Sequence, residues 1–454
     1  MREQTFLQGK LLSIIVFLPI LGRSFFPQVR DASSITFQSS FSDPQILGVY
    51  FLWSYCLYCF FRRPDKLRSL LAPPLWPLTV FTVIAVISAI MVSRSQMYSL
   101  WRCVETGGVL LWGALELAES RNEGPPFRLF VSFYAISALM LLGVVAAMVI
   151  DPQHAWMNEA NGVQRLATTS TFMMGANTIG VVAALLSLAA LSRFMCLLKI
   201  RYLVLFGAFL VLCYMARSRT GFIVFALGLL VLTAFLCRMP SRRFLTLASG
   251  ILLGVLVIGL CFVSQEFTDT VTYAFTRGHN ETNISSLDGR VSIWTTALNA
   301  FEQSPILGSG YATYPMRIEA GSHFHNMFVE LAVTTGILGL IPILILFAVL
   351  TARLVKLFSC RISEAMPDHI PSLDALLIGT VLIVSEMTTA GAAYYSWQMI
   401  GIVALAVGLY TMPNVQESRS TDGDYSPDAM AMQRTLISMT ESVDYKSDRN
   451  SIIL

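Results

Sequence analysis

Long apolar runs separated by short polar connections recur from the N-terminus to about residue 411. A helix rises 1.5 Å per residue, so about 20 apolar residues are needed to cross roughly 30 Å of hydrocarbon. Twelve segments meet or approach that length, at approximately 8–26, 45–61, 73–92, 100–118, 128–150, 174–194, 202–216, 221–237, 244–263, 326–351, 371–390 and 395–411. The pattern predicts an all-α polytopic membrane protein with about 12 transmembrane helices. The run Leu11 to Gly22 follows Arg2 and Lys10, as the core of a signal peptide would. The next residues, Arg23-Ser24-Phe25-Phe26-Pro27, offer no small-residue cleavage site, so this run is expected to stay as the first span.

The polar positions orient the spans. With the N-terminus inside, the inner connections hold Arg62, Arg63, Lys66 and Arg68, then Arg121 and Arg128, then Arg193, Lys199 and Arg201, then Arg238, Arg242 and Arg243, then Arg353, Lys356 and Arg361. Every expected inner loop is basic, as the positive-inside bias requires. Two outer segments exceed ordinary turns: 151–173, and the loop 264–325 between helices 9 and 10. Long loops of this kind tend to carry function. Within the second, residues 289–303 read as an amphipathic helix with Ile293, Trp294, Ala297 and Phe301 on one face. That helix is expected on the membrane surface, with Trp294 at headgroup level. The transmembrane domain is thus residues 1–411, and the polar stretch 412–454 is expected to be a disordered cytoplasmic tail.

Composition narrows the function classes. The chain of 454 residues is 55% hydrophobic and 13% charged, against about 25% charged in soluble domains. A net charge of +3 with no long Lys/Arg run argues against nucleic acid as a partner. The eight cysteines are scattered, and the Cys56–Cys59 pair sits in an apolar helix, so neither a disulfide framework nor a zinc site is expected. Neither a P-loop nor a dinucleotide-binding glycine motif is present, and no cofactor is expected. Asp422-Gly423-Asp424 mimics a metal-binding motif of nucleotide-sugar enzymes, but in a tail it reads as coincidence.

The candidate chemistry collects on the outer side. Arg217, Arg219, Arg290 and His325 all fall at span ends or in the long loop. A single arginine there can simply snorkel or bind headgroups. Several converging on one face suit phosphate oxygens, because a guanidinium donates bidentate hydrogen bonds and keeps its charge. His325 lies where a span begins, with Asn326 as a helix cap, and the partial positive charge of a helix N-terminus favours a neutral imidazole. It reads equally as a general base or as an interfacial capping residue. Glu330, one turn into the span, can orient the imidazole, pair with an arginine or face a polar cavity. His323 and the nearby acids form no recognisable metal-ligand spacing. Gly308 and Gly310 predict a tight turn, and Gly336 and Gly339 close helix packing.

The order of these elements is specific. Asp288-Gly289-Arg290 is followed by Trp294, by Ser304-Pro305-Ile306-Leu307-Gly308-Ser309-Gly310, and by His325-Asn326; nine residues, Met327 to Thr335, then separate it from Gly336-Ile337-Leu338-Gly339. Upstream stand Ser218-Arg219-Thr220-Gly221 and Arg165 with Ala176-Asn177-Thr178-Ile179-Gly180. This array, over roughly residues 160–345, resembles the O-antigen ligase and polymerase family. Ala176 replaces the family's usual proline, and Ala167 stands near an expected glycine.

The resemblance implies a GT-C-like, metal-independent, inverting glycosyltransferase of the bacterial inner membrane, with its site facing the periplasm. It implies an undecaprenyl-pyrophosphate-linked glycan as donor, and either a second lipid-linked glycan (polymerase) or lipid A-core (ligase) as acceptor. Matching residue by residue, His325 becomes the base, while Arg219 and Arg290 stabilise the departing pyrophosphate. Arg217, Arg165, Asn326 and Glu330 become substrate-binding residues. Membrane lipids and polysaccharide-assembly proteins, such as a flippase or a chain-length regulator, are the expected partners. Two other classes stay open: a transporter or flippase of lipid-linked sugars, which should show inverted repeats and helices broken near the bilayer midplane, and a structural subunit whose arginines bind headgroups.

Overall fold

The computed structural model describes residues 15–20, 44–123, 127–158, 164–169, 172–238, 290–312, 324–359, 369–389, 393 and 396–412. Its helices are α1 (Pro44–Arg62), α2 (Trp76–Met91), α3 (Gln96–Glu123), α4 (Phe127–Ile150), α5 (Ala176–Leu197), α6 (Ile200–Ala216), α7 (Arg219–Leu236), α8 (Arg290–Gln303), α9 (Met327–Ser359), α10 (Ile370–Glu386) and α11 (Trp397–Thr411). A 3-10 helix, Pro64–Leu71, precedes α2 and meets it at 89°. This is an all-α membrane protein. Among the described residues five helices are long and apolar enough to cross a membrane, or six if the bent pair is one span. α6 and α11 are apolar but shorter. The expected ninth span, 244–263, most of the first, and the tail lie outside the described residues.

The outer segment 151–173, expected to be irregular, contains a hairpin of β1 (Trp156–Asn158) and β2 (Gln164–Leu166), paired antiparallel with Met157 opposite Arg165. Three-residue strands leave too short an alternation to be seen in sequence.

Side-chain pairs give the helix directions. A Cβ on Gly180 of α5 would lie 2.5 Å from Ser218 Cβ, and one on Gly228 of α7 would lie 2.3 Å from Leu188 Cδ1, so α5 and α7 run parallel and in close contact. Small residues at these crossings let the backbones approach. Phe235 at the end of α7 meets His369 at the start of α10, with ring centroids 6.5 Å apart, so these two helices are antiparallel. Arg238 Nη2 donates to Ser359 O at 3.1 Å, joining the ends of α7 and α9. The starts of α5, α7 and α9 and the end of α10 therefore share one end of the bundle. At the other end, Arg193 of α5 holds Asp374 of α10 in a bidentate pair, 2.5 Å and 2.7 Å. This arrangement matches the alternation read from the loop charges.

One expectation changes. α9 is interrupted at Gly336, whose φ of 66° and ψ of −169° break the helical path. Gly336 is not a small packing residue in a continuous span; it is the point where the span is broken.

Candidate functional site

The first half of α9 begins with a cap. Asn326 Oδ1 accepts from Phe328 N at 2.9 Å and Val329 N at 3.1 Å, supplying two of the N–H groups that a helix start leaves unpaired. Asn326 Nδ2 donates to Met387 O at 3.1 Å, just past the end of α10. His325 precedes the cap with φ at 54°, in the left-handed region. For a residue with a Cβ that conformation costs about 1–2 kcal/mol, and such strain tends to cluster at functional sites. His325 as a residue is half-buried.

Neighbouring backbone holds His325 in place. Phe324 is buried, its carbonyl accepts from Trp294 Nε1 at 2.9 Å, and its N–H donates weakly to Glu330 Oε2 at 3.4 Å. Ala297 of α8 forms a small core with Phe324 and Val333, lined by Ile293, Ala300, Phe301 and Val329. The apolar face of α8, expected to meet the membrane surface, packs on α9, and the Trp294 indole bonds backbone there. The physical reason is that Phe324 and Val333 offer a protein surface to the same face. Arg290 starts α8, one turn before Trp294; its side chain, like Asp288, Gly289, Glu319 and His323, lies outside what the structure describes.

The break at Gly336 is filled by the loop after α8. In an unbroken helix, Ile337 N–H and Leu338 N–H would bond to Val333 O and Thr334 O. Here they donate to Pro305 O at 2.8 Å and Ile306 O at 3.3 Å, while Ser309 N and Gly310 N donate to Val333 O at 2.9 Å and Thr334 O at 3.0 Å. Every backbone group freed at these four positions is paired, as burial in hydrocarbon demands. Gly308 is also left-handed, at φ 68°, and a Cβ there would lie 2.4 Å from Thr334 C. Tyr311 anchors the far side of the loop. Its hydroxyl donates to Ala393 O at 2.8 Å and bonds Thr106 Oγ1 at 2.9 Å, and burial pushes its phenol pKa up. No sequence motif marked Tyr311 or Trp294 as structural posts.

The arginine group at the starts of α5 and α7 forms a second patch. Arg165 is buried; its Nε donates to Ala216 O at 3.2 Å and its Nη2 to Asn177 Oδ1 at 3.2 Å. Asn177 Oδ1 also accepts from Ser218 Oγ at 3.2 Å, and Ser218 caps α7 by accepting from Gly221 N at 3.1 Å. The two upstream motifs thus pack directly on one another, with Gly180 and Gly221 allowing the approach: a Cβ on Gly221 would lie 2.9 Å from Gly180 C. This network shapes the turn between α6 and α7, where Arg217 is left-handed at φ 44° and Arg219 takes the first helical position. Arg219 Nε and Nη2 are shielded from solvent.

Arg165→Met is expected to lower the thermal stability of the detergent-solubilised protein by roughly 1–3 kcal/mol, since it removes two hydrogen bonds of a buried guanidinium, the one to Ala216 O and one of those that Asn177 Oδ1 accepts. Arg165→Lys should recover little, because an ammonium cannot span both. Thermal unfolding of the two variants beside wild type measures this.

The patches share one end of the bundle. Counting equal numbers of residues from the Phe235–His369 pair toward that end, Arg219 on α7 comes level with Ser385 on α10. Ser385 is close to Met387, which receives Asn326. Arg219 on one side and Asn326 with His325 on the other thus lie at the bundle end where α10 finishes, and there Glu386, which sequence reading did not single out, is buried.

A family model described as O-Antigen ligase matches residues 202–344. The chain is also similar to the Exopolysaccharide production protein ExoQ of Rhizobium meliloti (strain 1021), with 31% identity over 130 residues. That match covers 25% of this chain and 28% of the relative. The family match spans α6, α7, α8 and the first half of α9, and so contains Arg217, Arg219, Arg290, His325, Asn326 and Glu330. Residues 202–344 are thus similar to the O-antigen ligase family.

Proposed function

We propose that this protein transfers a glycan from an undecaprenyl-pyrophosphate-linked donor to an acceptor sugar hydroxyl at the periplasmic face of a bacterial inner membrane, most simply as a polysaccharide polymerase. The observation that carries the reading is His325, strained into a left-handed conformation just before a capped helix, at the same bundle end as Arg219. His325 takes the proton of the acceptor hydroxyl. The oxygen forms a bond to the anomeric carbon from the face opposite the leaving group, and the bond to pyrophosphate breaks with its electrons moving to the phosphate oxygen. Arg219 and Arg290 stabilise the charge that develops there. The donor's glycosidic bond is already activated, so the step uses neither nucleotide nor metal. Asn326 fixes the helix start, Glu330 buttresses Phe324, and Arg217 contacts the pyrophosphate from the turn. Arg165, with two N–H groups engaged by protein, positions that turn.

The match to the exopolysaccharide production protein favours polymer assembly over ligation to lipid A-core. One observation speaks for a transporter: α9 is broken, as helices of secondary transporters often are. The groups freed by this break are nevertheless occupied by residues 305–310 and are not available to a substrate.

The test is purified full-length protein in lipid, supplied with a defined lipid-pyrophosphate glycan. Glycan transfer is expected, and Arg219→Lys should lower it by about 10²-fold, because an ammonium loses the bidentate phosphate contact. Translocation of donor without any transfer would establish the transporter instead, and an unaffected Arg219→Lys would remove that arginine from the site.

A further inference from the structure

The chain before residue 202 lies outside the family match, yet part of it reaches the broken helix. Ser88, on α2, is completely buried. Its single hydroxyl proton is shared between Leu307 O at 2.8 Å and Thr334 O at 3.1 Å. The first acceptor belongs to the inserted loop, the second to the half of α9 that starts at Asn326. Thr334 O is one of the carbonyls the break sets free, and it also receives Gly310 N at 3.0 Å. Ser88 therefore sits astride the break, bonded to both of the segments that meet there.

α3 and the turn that joins it to α2 make a second contact. Ser99 Oγ, on α3, donates to Tyr311 O at 2.7 Å and bonds Ser93 Oγ at 2.8 Å, while Ser93 stands against Gly310, where a Cβ would lie 2.6 Å from Ser93 Cα. The loop is thus clamped at both ends by hydroxyl groups of α2 and α3.

We infer that Ser88 is a positioning residue for the transfer site: by holding Leu307 O and Thr334 O together, it fixes the tilt of the first half of α9 and so the place of His325. This rests on the glycosyltransferase reading above. A helix segment interrupted by a glycine has no continuous hydrogen-bond ladder to set its direction. The direction is set by what bridges the break, and among the described residues the Ser88 side chain does so from outside both segments. A tilt acts as a lever on the residue at the far end, and misplacing a reacting group by about 1 Å can lower a rate by about 10²-fold.

The experiment compares full-length wild type, Ser88→Ala and Ser88→Thr in lipid. Ser88→Ala is expected to lower kcat by about ten-fold with donor KM unchanged, and Ser88→Thr, which keeps the hydroxyl, to restore it. Hydrogen exchange read by mass spectrometry should show faster exchange in Ser88→Ala for peptides covering residues 305–312 and 333–340, with the rest of the chain protected as before. Unchanged exchange there, or an unchanged kcat, overturns the role of Ser88. If instead transfer survives His325→Ala, the catalytic reading falls, while the exchange result still decides whether Ser88 holds the break.

Discussion

His325→Ala is expected to lower the rate of glycan transfer by about 10³-fold while leaving donor binding nearly intact. General-base assistance contributes about 10²–10⁴-fold, and His325 stands before the helix cap rather than in it, so its removal leaves the Asn326 bonds to Phe328 N and Val329 N in place. An alanine at this position inherits the left-handed φ of 54°, so the variant is also expected to lose a little stability. His325→Asn separates the two effects, since asparagine tolerates that conformation but cannot act as a base of the same strength. Transfer should fail in both variants, and the thermal midpoint should fall less in His325→Asn. Single-turnover transfer with a labelled lipid-pyrophosphate glycan gives the rate. Transfer at wild-type speed in either variant would leave His325 as a strained residue before the cap only.

Gly336→Ala should be the most damaging single substitution for the fold. A Cβ there would lie 2.2 Å from Ile306 O, 2.3 Å from Ile306 C and 2.7 Å from Gly308 N, at a φ of +66°. All three neighbours are backbone atoms of the inserted loop and cannot rotate away. Removing the clash means withdrawing the loop, which strands the Val333 carbonyl and the Ile337 and Leu338 amides in the interior and leaves Thr334 O with the Ser88 hydroxyl alone. A loss above about 4 kcal/mol is expected, with little folded protein recovered. Gly207→Ala on α6 is the control, because a Cβ there meets nothing within 4 Å. It should be neutral or slightly stabilising, as alanine favours the helix over glycine by about 1 kcal/mol. Detergent-exchange yield and thermal unfolding of the two variants measure the contrast.

Much of the candidate site was legible as a pattern, because its residues are marked by chemistry that stands out in an apolar chain. A histidine, an asparagine and several arginines at span boundaries are conspicuous, and their spacing placed His325 before a helix start and Arg219 at another. The cap at Asn326 follows from local rules, which act over three or four residues. Other features were not legible. Ser88 is an ordinary serine in an apolar helix, and its acceptors, Leu307 and Thr334, are distant in sequence. Trp294 suits a membrane interface as well as it suits a bond to Phe324 O. Arg165 reads like the other outer arginines until its partners, Ala216 O and Asn177 Oδ1, are seen.

The sequence alone determined that the chain is helical and membrane-embedded, and which helix ends carry its polar chemistry. Those properties follow from hydropathy, rise per residue and loop charge, which are local or additive along the chain. Only the tertiary structure decided that α9 is broken at Gly336, that residues 305–310 fill the gap, and that α8 packs on α9. These depend on backbone groups finding partners far away in sequence, because an unpaired amide or carbonyl in hydrocarbon costs several kcal/mol. A glycine permits such a break, but whether it becomes one depends on the loop that arrives to satisfy it.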